Sequence, residues 1–303
     1  MPTPLPLLDQ PAPVVPLAHL DDLWFQVGGT ICNLECRHCF ISCSPHNHTF
    51  GFLDLATVRQ ALIASVELGV KEYYFTGGEP FLNRDMVAIL ELTLDYGPAT
   101  VLTNATVLKA EWLERLARAE EQSRYSLEFR VSLDGATAAE NDPIRGPGTF
   151  ERTLEGIRRL VAQGFLPIIT VAQTNEDADL GTLVAQFVSL LRAHGYARPR
   201  LKVLPMLRLG AEVQRGRGYE ADERVSPDMM QGFDVHQLLC DHSRVVTDRG
   251  VFVCPILIEA PDARLGFELG EALGPYALRH QACYTCYRHG SLCANPTSGY
   301  RDA

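Results

Sequence analysis

Three cysteines lie close together near the start of the chain, at Cys32, Cys36 and Cys39. The spacing C-x3-C-x2-C places three thiolates on one short loop, where each can bind one iron of a [4Fe–4S] cubane. No fourth ligand is evident from the spacing, so one iron would remain open to a small molecule. A structural zinc site is the alternative, although such sites favour two C-x2-C-like pairs and four closed ligands.

The chain has nine cysteines among 303 residues, and they fall into two clusters at opposite ends of the sequence. Four lie between Cys32 and Cys43, and five lie between Cys240 and Cys293. Disulfides rarely persist in a reducing compartment, where clustered thiols more often bind metal. The sequence therefore predicts metal sites in both clusters.

Strand and helix patterns alternate from residue 23 to residue 204, which predicts a parallel sheet with helical crossovers. Alternation by itself does not separate an open doubly wound sheet from a barrel, but in both folds ligands bind at the carboxyl ends of the strands. The predicted helices are one that begins after Asp54 and others near 84–96, 109–118, 149–163 and 180–194. The predicted strands are 23–27, 72–75, 99–103, 129–133, 167–171 and 201–204.

Residues with possible chemical roles follow four successive strands of this pattern. Cys32 follows the first strand, Gly77-Gly78-Glu79-Pro80 the second, Asn104 the third and Asp134 the fourth. Because these strand ends meet at one edge of a parallel sheet, we expect the residues to form a single site.

These segments together resemble the radical SAM superfamily, whose cluster loop C-x3-C-x-φ-C follows the first barrel strand. His38 occupies the position that is usually aromatic in the family. The segment FTGGEP (75–80) is similar to the family's GGEP segment, and LTNA (102–105) to its TNG segment with alanine in place of glycine. The segment VSLDG (131–135), followed by DPIRG (142–146), resembles the S-x-D-G…R-G block of relatives that carry an auxiliary cluster. The resemblance implies a partial (β/α)6 TIM-like barrel.

The resemblance also implies that S-adenosylmethionine (SAM) chelates the open iron through its amino and carboxylate groups. Glycines at 77 and 78 let the backbone approach the methionine moiety of SAM, and Glu79 offers a carboxylate to the ammonium group of SAM. Arg145 can pair with the carboxylate of SAM, and Ser132 can form a hydrogen bond with that carboxylate or with the ribose. In isolation, Gly-Gly-Glu-Pro and Asp-Gly are turn sequences. The expected SAM-binding residues are Gly77, Gly78, Glu79, Pro80, Asn104, Ser132, Asp134 and Arg145.

The second cysteine cluster resembles the Twitch domain, a truncated form of the SPASM auxiliary domain. A full SPASM domain uses seven cysteines for two clusters, whereas this segment has five, which favours one auxiliary [4Fe–4S] cluster. A zinc ribbon built from the same four thiols is the alternative. The expected ligands are Cys240, Cys254, Cys283 and Cys286.

Cys43 and Cys293 are left without a ligand role in this assignment. Each is either a buried apolar filler, a hydrogen-atom donor to a substrate radical, or a further ligand. Arg208, Arg215 and Arg217 precede the auxiliary segment, and they lie either in a solvated loop or against an acidic substrate.

The resemblance implies an enzyme that reductively cleaves SAM to a 5′-deoxyadenosyl radical and abstracts hydrogen from its substrate. The electron would come from an external one-electron reductant of the flavodoxin or ferredoxin type. The short arm before the first strand favours a small polar substrate that is oxidised or epimerised, as in aminocyclitol and aminoglycoside relatives. The alternatives are a maturase of a ribosomally made peptide and, more remotely, a non-catalytic iron–sulfur or zinc protein.

Composition sets further expectations. A net charge of −10 and a pI near 5.4 argue against binding to nucleic acid or an anionic membrane. The sequence has no apolar run approaching the ~20 residues of a membrane helix and no secretory signal pattern, so we expect a cytoplasmic protein. We expect a proline-rich arm (1–22), a radical SAM core (23–225) and an auxiliary domain (226–303).

Two [4Fe–4S] clusters correspond to about eight irons per reconstituted chain. Replacing Cys283 and Cys286 together is expected to lower the count to about four and to leave the first cluster assembled, as measured by iron analysis. About four irons with stoichiometric zinc in the wild type would favour the zinc ribbon, and about twelve would give Cys43 or Cys293 a ligand role.

Overall fold

The computed structural model describes residues 12–174 and 179–290. Strands alternate with helices through the first two thirds of the chain, as the sequence predicts. The helices are α1 Leu55–Glu67, α2 Met86–Thr93, α3 Ala110–Gln122, α4 Ala138–Arg145, α5 Thr149–Ala162, α6 Leu180–Ala193, α7 Glu212–Arg215 and α8 Ala282–His289. The strands are β1 Val14–Val15, β2 Asp22–Phe25, β3 Glu72–Phe75, β4 Ala99–Thr103, β5 Leu127–Ser132, β6 Ile168–Ala172, β7 Arg200–Leu204, β8 Ser243–Thr247, β9 Gly250–Phe252, β10 Arg264–Gly266 and β11 Tyr276–Ala277.

Nine strands form one sheet in the order β10-β9-β8-β2-β3-β4-β5-β6-β7. The six predicted core strands are confirmed as β2 to β7, and each pairs in parallel with the next. β7 and β10 lie at opposite edges, so the sheet does not close on itself. This open, mostly parallel sheet confirms the fold class that the sequence predicts.

The two faces of the sheet pack into different cores because successive side chains of a strand point in opposite directions. Leu23, Phe25 and Tyr73 belong to the core that packs against the helices. Trp24 and Tyr74 point to the other face, where their rings stack with centroids 4.3 Å apart. That second core also contains cysteines of both clusters, so one apolar body connects the two candidate metal sites.

Helix starts follow local capping chemistry. Asp54 caps α1, as predicted, because its carboxylate accepts a 2.7 Å hydrogen bond from the Thr57 N–H. α4 was not predicted from the sequence, and it begins with a capping box between Thr137 and Glu140. Pro143 lies inside this short helix, whose last residue is Arg145. The helix therefore places the guanidinium of Arg145 just beyond the carboxyl end of β5.

The C-terminal segment joins the core sheet. β8 and β9 form an antiparallel hairpin, and β8 pairs in parallel with β2. Part of the N-terminal arm is extended, since β1 pairs with β11 and Pro13 accepts a 2.8 Å hydrogen bond from the Leu278 N–H. Division of the chain at residue 225 stays a prediction. Within the described ranges, every helix is too short or too polar to cross a membrane.

Asp22 at the start of β2 gives the fold a testable pH dependence. Its side chain is fully buried, and burial raises its pKa to about 8. The negative charges of Glu72 and Asp21 raise this pKa further, and the positive charges of Arg130 and Lys71 lower it. The folded protein thus keeps a proton that the unfolded chain releases near pH 4, so stability is expected to fall between about pH 4 and about pH 8. Asp22→Asn is expected to flatten this decline in thermal unfolding midpoints measured at several pH values.

Asp95→Asn is the matched control, because Asp95 is exposed after α2. The control is expected to retain the wild-type pH dependence of the midpoint. An Asp22→Asn protein with the same decline as the wild type would contradict the assignment to Asp22.

Candidate functional site

The cluster loop is held against the turn after β3 by three backbone hydrogen bonds. Gly28 N–H donates to Thr76 O, Gly78 N–H to Gly29 O, and Glu79 N–H to Ile31 O, each at 3.0 Å. A Cβ on Gly78 would lie 2.1 Å from the Ile31 carbonyl oxygen, so only glycine permits this approach. Sequence reasoning linked Gly77 and Gly78 to the approach of a ligand, whereas the contact seen here is with the backbone of the cluster loop.

The sulfur of Cys32 lies among N–H donors. The Leu34 N–H donates to Cys32 Sγ at 3.4 Å, and the Asn104 side-chain amide lies 3.8 Å from the same sulfur. Burial raises the pKa of Cys32 to about 12 and that of Cys36 to about 11. Iron binding must displace these protons, and N–H donors then stabilise the thiolates. Three such sulfurs on one loop fit the donor set of a cubane with one open iron.

Cys43 is buried against the cluster loop. Its thiol donates a hydrogen bond to the sulfur of Cys39, which lowers the pKa of Cys39, and its N–H lies 3.3 Å from that sulfur. Cys43 therefore contacts a candidate ligand, and its role as a hydrogen-atom donor stays a prediction. Cys293 lies outside the described residues.

Glu79 joins the ends of β3 and β4. Its side chain is completely buried, and it accepts hydrogen bonds from the Phe81 N–H (3.0 Å), the Thr103 hydroxyl (2.8 Å) and the Asn104 N–H (2.8 Å). Burial raises its pKa to about 7, and these donors oppose the shift. Glu79 thus orients Asn104, whose amide in turn donates to Asn33 Oδ1 of the cluster loop at 3.0 Å. Contact of Glu79 with the ammonium group of SAM stays a prediction. The next residue, Pro80, is the first residue of a short 3-10 helix.

Asp134 forms a buried ionic centre beneath the loop. Its Oδ2 lies 2.8 Å from His38 Nε2 and accepts a 2.5 Å bond from Arg145 Nε, and its Oδ1 accepts a 2.8 Å bond from the Ala172 N–H. Arg145 and His38 hold the pKa of Asp134 well below its usual range despite burial. The carboxylate is fully engaged by protein groups, so its visible function is to orient Arg145 and the cluster loop. The His38–Asp134 contact was not predicted from the sequence.

Two further polar groups lie near the carboxyl end of β5, Ser132 partly buried and Arg145 buried. The Ser132 hydroxyl at the end of β5 is partly buried, and it has no hydrogen-bond partner among the described residues. Arg145 lies close enough to Cys36 and Cys39 for thiolates there to raise its pKa. A negatively charged group bound between Ser132 and Arg145 would therefore lie beside the cluster loop.

Glu259 was also not anticipated from the sequence. One of its carboxylate oxygens is buried without a hydrogen-bond partner. Burial and the nearby Cys39 raise its pKa to about 7. Nothing in the sequence links this glutamate to the first cluster, because it follows Cys254 by five positions and belongs to the second cysteine segment.

The four cysteines of the predicted auxiliary site line one apolar cavity. Each side chain is buried, and burial raises the pKa of Cys240 to about 12 and moves that of Cys283 well above its usual value. Behind the cavity, the buried guanidinium of Arg244 donates to the carbonyl of Cys240 at 2.9 Å. The other apolar lining residues are Leu238, Leu239, Val253, Ile256, Leu257, Tyr276, Leu278 and Ala282. An apolar cavity lined by four thiols fits a fully ligated cubane.

Comparison with known proteins identifies the family. The family described as the radical SAM superfamily matches residues 27–179, about half of the chain and the part that contains the cluster loop, Glu79 and Arg145. The chain belongs to the radical SAM superfamily. It is therefore an enzyme of that superfamily, and SAM with at least one [4Fe–4S] cluster are its cofactors.

Two relatives show how far this radical SAM enzyme resembles characterised proteins. It is 33% identical over 198 residues to the AdoMet-dependent heme synthase of Methanosarcina barkeri, covering 65% of this chain and 52% of that protein. It is 28% identical over 167 residues to the mycofactocin maturase MftC of Mycobacterium tuberculosis, covering 53% of this chain and 41% of that protein. The radical SAM chain thus spans about half of each relative's length or less.

Solved structures share the fold at low sequence identity. The chain superposes on anSMEcpe with bound AdoMet with a TM-score of 0.61 and 15% identity, over 83% of this chain and 79% of that one. SuiB of Streptococcus suis, bound to S-adenosylmethionine, gives a TM-score of 0.59 and 14% identity over 83% of this chain and 64% of that one. The family match ends before Cys240, so an auxiliary cluster in this radical SAM enzyme stays a prediction.

Gly78→Ala tests the backbone contact that holds the cluster loop. A methyl group 2.1 Å from the Ile31 carbonyl forces the loop away from the turn after β3. We expect the first cluster to assemble poorly, with the iron count falling by up to about four per chain. The measurements are iron analysis and the visible absorbance of the reconstituted protein.

Gly270→Ala is the control, because a Cβ at Gly270 meets no atom within 4 Å. This variant is expected to bind iron like the wild type. Full iron loading of Gly78→Ala would show that the loop tolerates displacement from the turn.

Proposed function

We propose that this radical SAM enzyme uses Cys32, Cys36 and Cys39 to hold the SAM-binding cluster and abstracts hydrogen from a peptide substrate. The observation that carries the proposal is the arrangement at the carboxyl edge of the sheet. Cys36 and Cys39 lie there near the guanidinium of Arg145, which is oriented by the buried carboxylate of Asp134.

The residues have separate roles in this proposal. Arg145 pairs with the carboxylate of SAM, and Ser132 donates to the same group or to the ribose. Glu79 orients the Asn104 backbone and presents its remaining lone pair to the ammonium. When bound, the cluster and SAM accept one electron from a flavodoxin- or ferredoxin-type reductant and supply methionine and a 5′-deoxyadenosyl radical that removes a hydrogen atom from the substrate.

A peptide substrate has better support than the small polar substrate favoured by the sequence. A structure of anSMEcpe holds AdoMet together with the Cp18Cys peptide, and it superposes over 83% of this chain with a TM-score of 0.58. That share exceeds what residues 23–225 alone could supply, so the likeness extends into the C-terminal segment. The maturase named above adds to this support, although the heme synthase is named for a small molecule.

We further propose that Cys240, Cys254, Cys283 and Cys286 hold an auxiliary [4Fe–4S] cluster. The four buried thiols line one apolar cavity, and four thiolates are the donor set of a fully ligated cubane. This common lining supports the proposal.

Reductive cleavage of SAM tests the proposal directly. Anaerobically reconstituted protein with SAM and dithionite is expected to form 5′-deoxyadenosine, measured by liquid chromatography and mass spectrometry. Cys36→Ala is expected to abolish the product, because two remaining thiolates would not hold a cubane with an open iron stably.

Glu35→Ala supplies the control from the same loop, since the side chain of Glu35 is exposed. It is expected to cleave SAM at the wild-type rate. Undiminished cleavage by Cys36→Ala would remove this cysteine from the cluster.

A further inference from the structure

A second cavity, of about 390 Å³, lies between the core and the C-terminal segment. One wall follows the carboxyl ends of β6 and β7 and includes Gln173 and Met206. The facing wall is α8, which contributes Tyr284 and Arg288. Residues four positions apart share one face of a helix, so these two side chains line the cavity together. The volume lies within the range of ligand-binding pockets.

The chain segments that form the two walls of the cavity also contact or carry cysteines of the two candidate clusters. The segment after β7 continues from the cavity to Gly210, whose backbone approaches the cluster loop so closely that a Cβ would lie 2.6 Å from the Cys39 carbonyl oxygen. The Ala211 N–H then donates to that oxygen at 2.9 Å. On the opposite wall, α8 carries Cys283 and Cys286. A substrate held here would be flanked by the segment that contacts Cys39 and by the helix that carries two of the auxiliary cysteines.

The walls of the cavity are joined by polar contacts. The Tyr219 hydroxyl lies 2.5 Å from the Thr285 hydroxyl and accepts a 3.4 Å hydrogen bond from the Arg208 N–H. Burial raises the pKa of Tyr219 to about 12, so its ring stays neutral near pH 7. The contacts link the segment after β7 to α8, so the shape of the cavity is set before a ligand enters.

The described lining residues of the cavity carry a net positive charge, with two arginines against one acid. Among its described lining residues Glu223 is the one acid, and its carboxylate binds both Arg208 and Arg217. Hydrogen bonds from Arg217 and Arg208 lower the pKa of Glu223 to about 2, so this carboxylate is ionised and paired. Arg217 also lies 3.5 Å from the carboxylate of Glu220. Arg288 is exposed and forms no hydrogen bond or ion pair with another described residue. A guanidinium without a partner favours an anionic ligand group.

We propose that this cavity binds the substrate through a carboxylate held by Arg288, with Arg208 adding positive potential. The inference rests on the proposed function and specifies the chemistry of its peptide substrate. The carboxylate belongs either to an acidic side chain or to the C-terminus of the peptide. Arg215, which sequence analysis also considered for an acidic substrate, instead binds Glu212 through two hydrogen bonds of 2.6 and 2.7 Å.

The test measures binding without turnover. Reconstituted protein is equilibrated by dialysis with three N-acetylated pentapeptides, and free peptide is measured by mass spectrometry. One peptide has a central glutamate and an amidated C-terminus, its twin has glutamine in that place, and the third is the glutamine peptide with a free C-terminal carboxylate. At least one carboxylate peptide is expected to bind roughly ten-fold more tightly than the neutral twin, and the one that does identifies the source.

Arg288→Gln is expected to remove this preference, whereas Arg279→Gln, an exposed arginine outside the cavity, is expected to retain it. The preference is also expected to weaken as salt is raised, because ions screen an exposed charge pair. Equal or undetectable binding of all three peptides by the wild type, or a preference that survives Arg288→Gln, would overturn the inference. SAM cleavage is measured separately, so its loss would count against the proposed function instead.

Discussion

The placement of the active site depends on the close approach of two backbone segments, 28–31 and 76–79. Three N–H···O bonds join them, and a side chain at Gly78 would fill the space that the Ile31 carbonyl occupies. The contact extends the parallel pairing of β2 and β3 beyond the strands themselves. Cys32 therefore begins its loop from a fixed backbone position, which a cluster ligand requires because the thiol must reach one corner of a rigid cubane.

Two buried carboxylates near this contact show how the surroundings decide the behaviour of a charge. Asp134 is compensated by Arg145 and His38, so it stays ionised although it is buried. Glu79 is held by neutral donors alone, and its pKa is raised to about 7. A buried charge is costly without partners, so each carboxylate needs the groups that donate to it. Each carboxylate in turn fixes the position of those groups in the site. Asp134 orients the cation beside the cysteines, and Glu79 orients the Asn104 amide toward the cluster loop.

The C-terminal segment is built into the same body as the core. β8 continues the parallel sheet beside β2, and the aromatic pair Trp24–Tyr74 shares a core with cysteines of both clusters. The guanidinium of Arg244 is completely buried and donates to four backbone carbonyls, which ties β8 to the turn before β11. This shared packing gives both cysteine sites a common frame, and the positively charged cavity lies where the segment after β7 meets α8.

The sequence alone indicated the family, the positions of the six core strands along the chain and the cysteine spacing, because motifs and strand periodicity are local properties of the chain. The sequence did not predict α4, because Pro143 is unfavourable in the interior of a helix. The helix forms with a capping box at its start and packs against α5. Tertiary structure decided the partners of Asp134, the position of Glu259 beside Cys39, and the cavity lined by Arg288. Each joins residues that are far apart in sequence, and no local pattern encodes which distant backbone segment a side chain will meet.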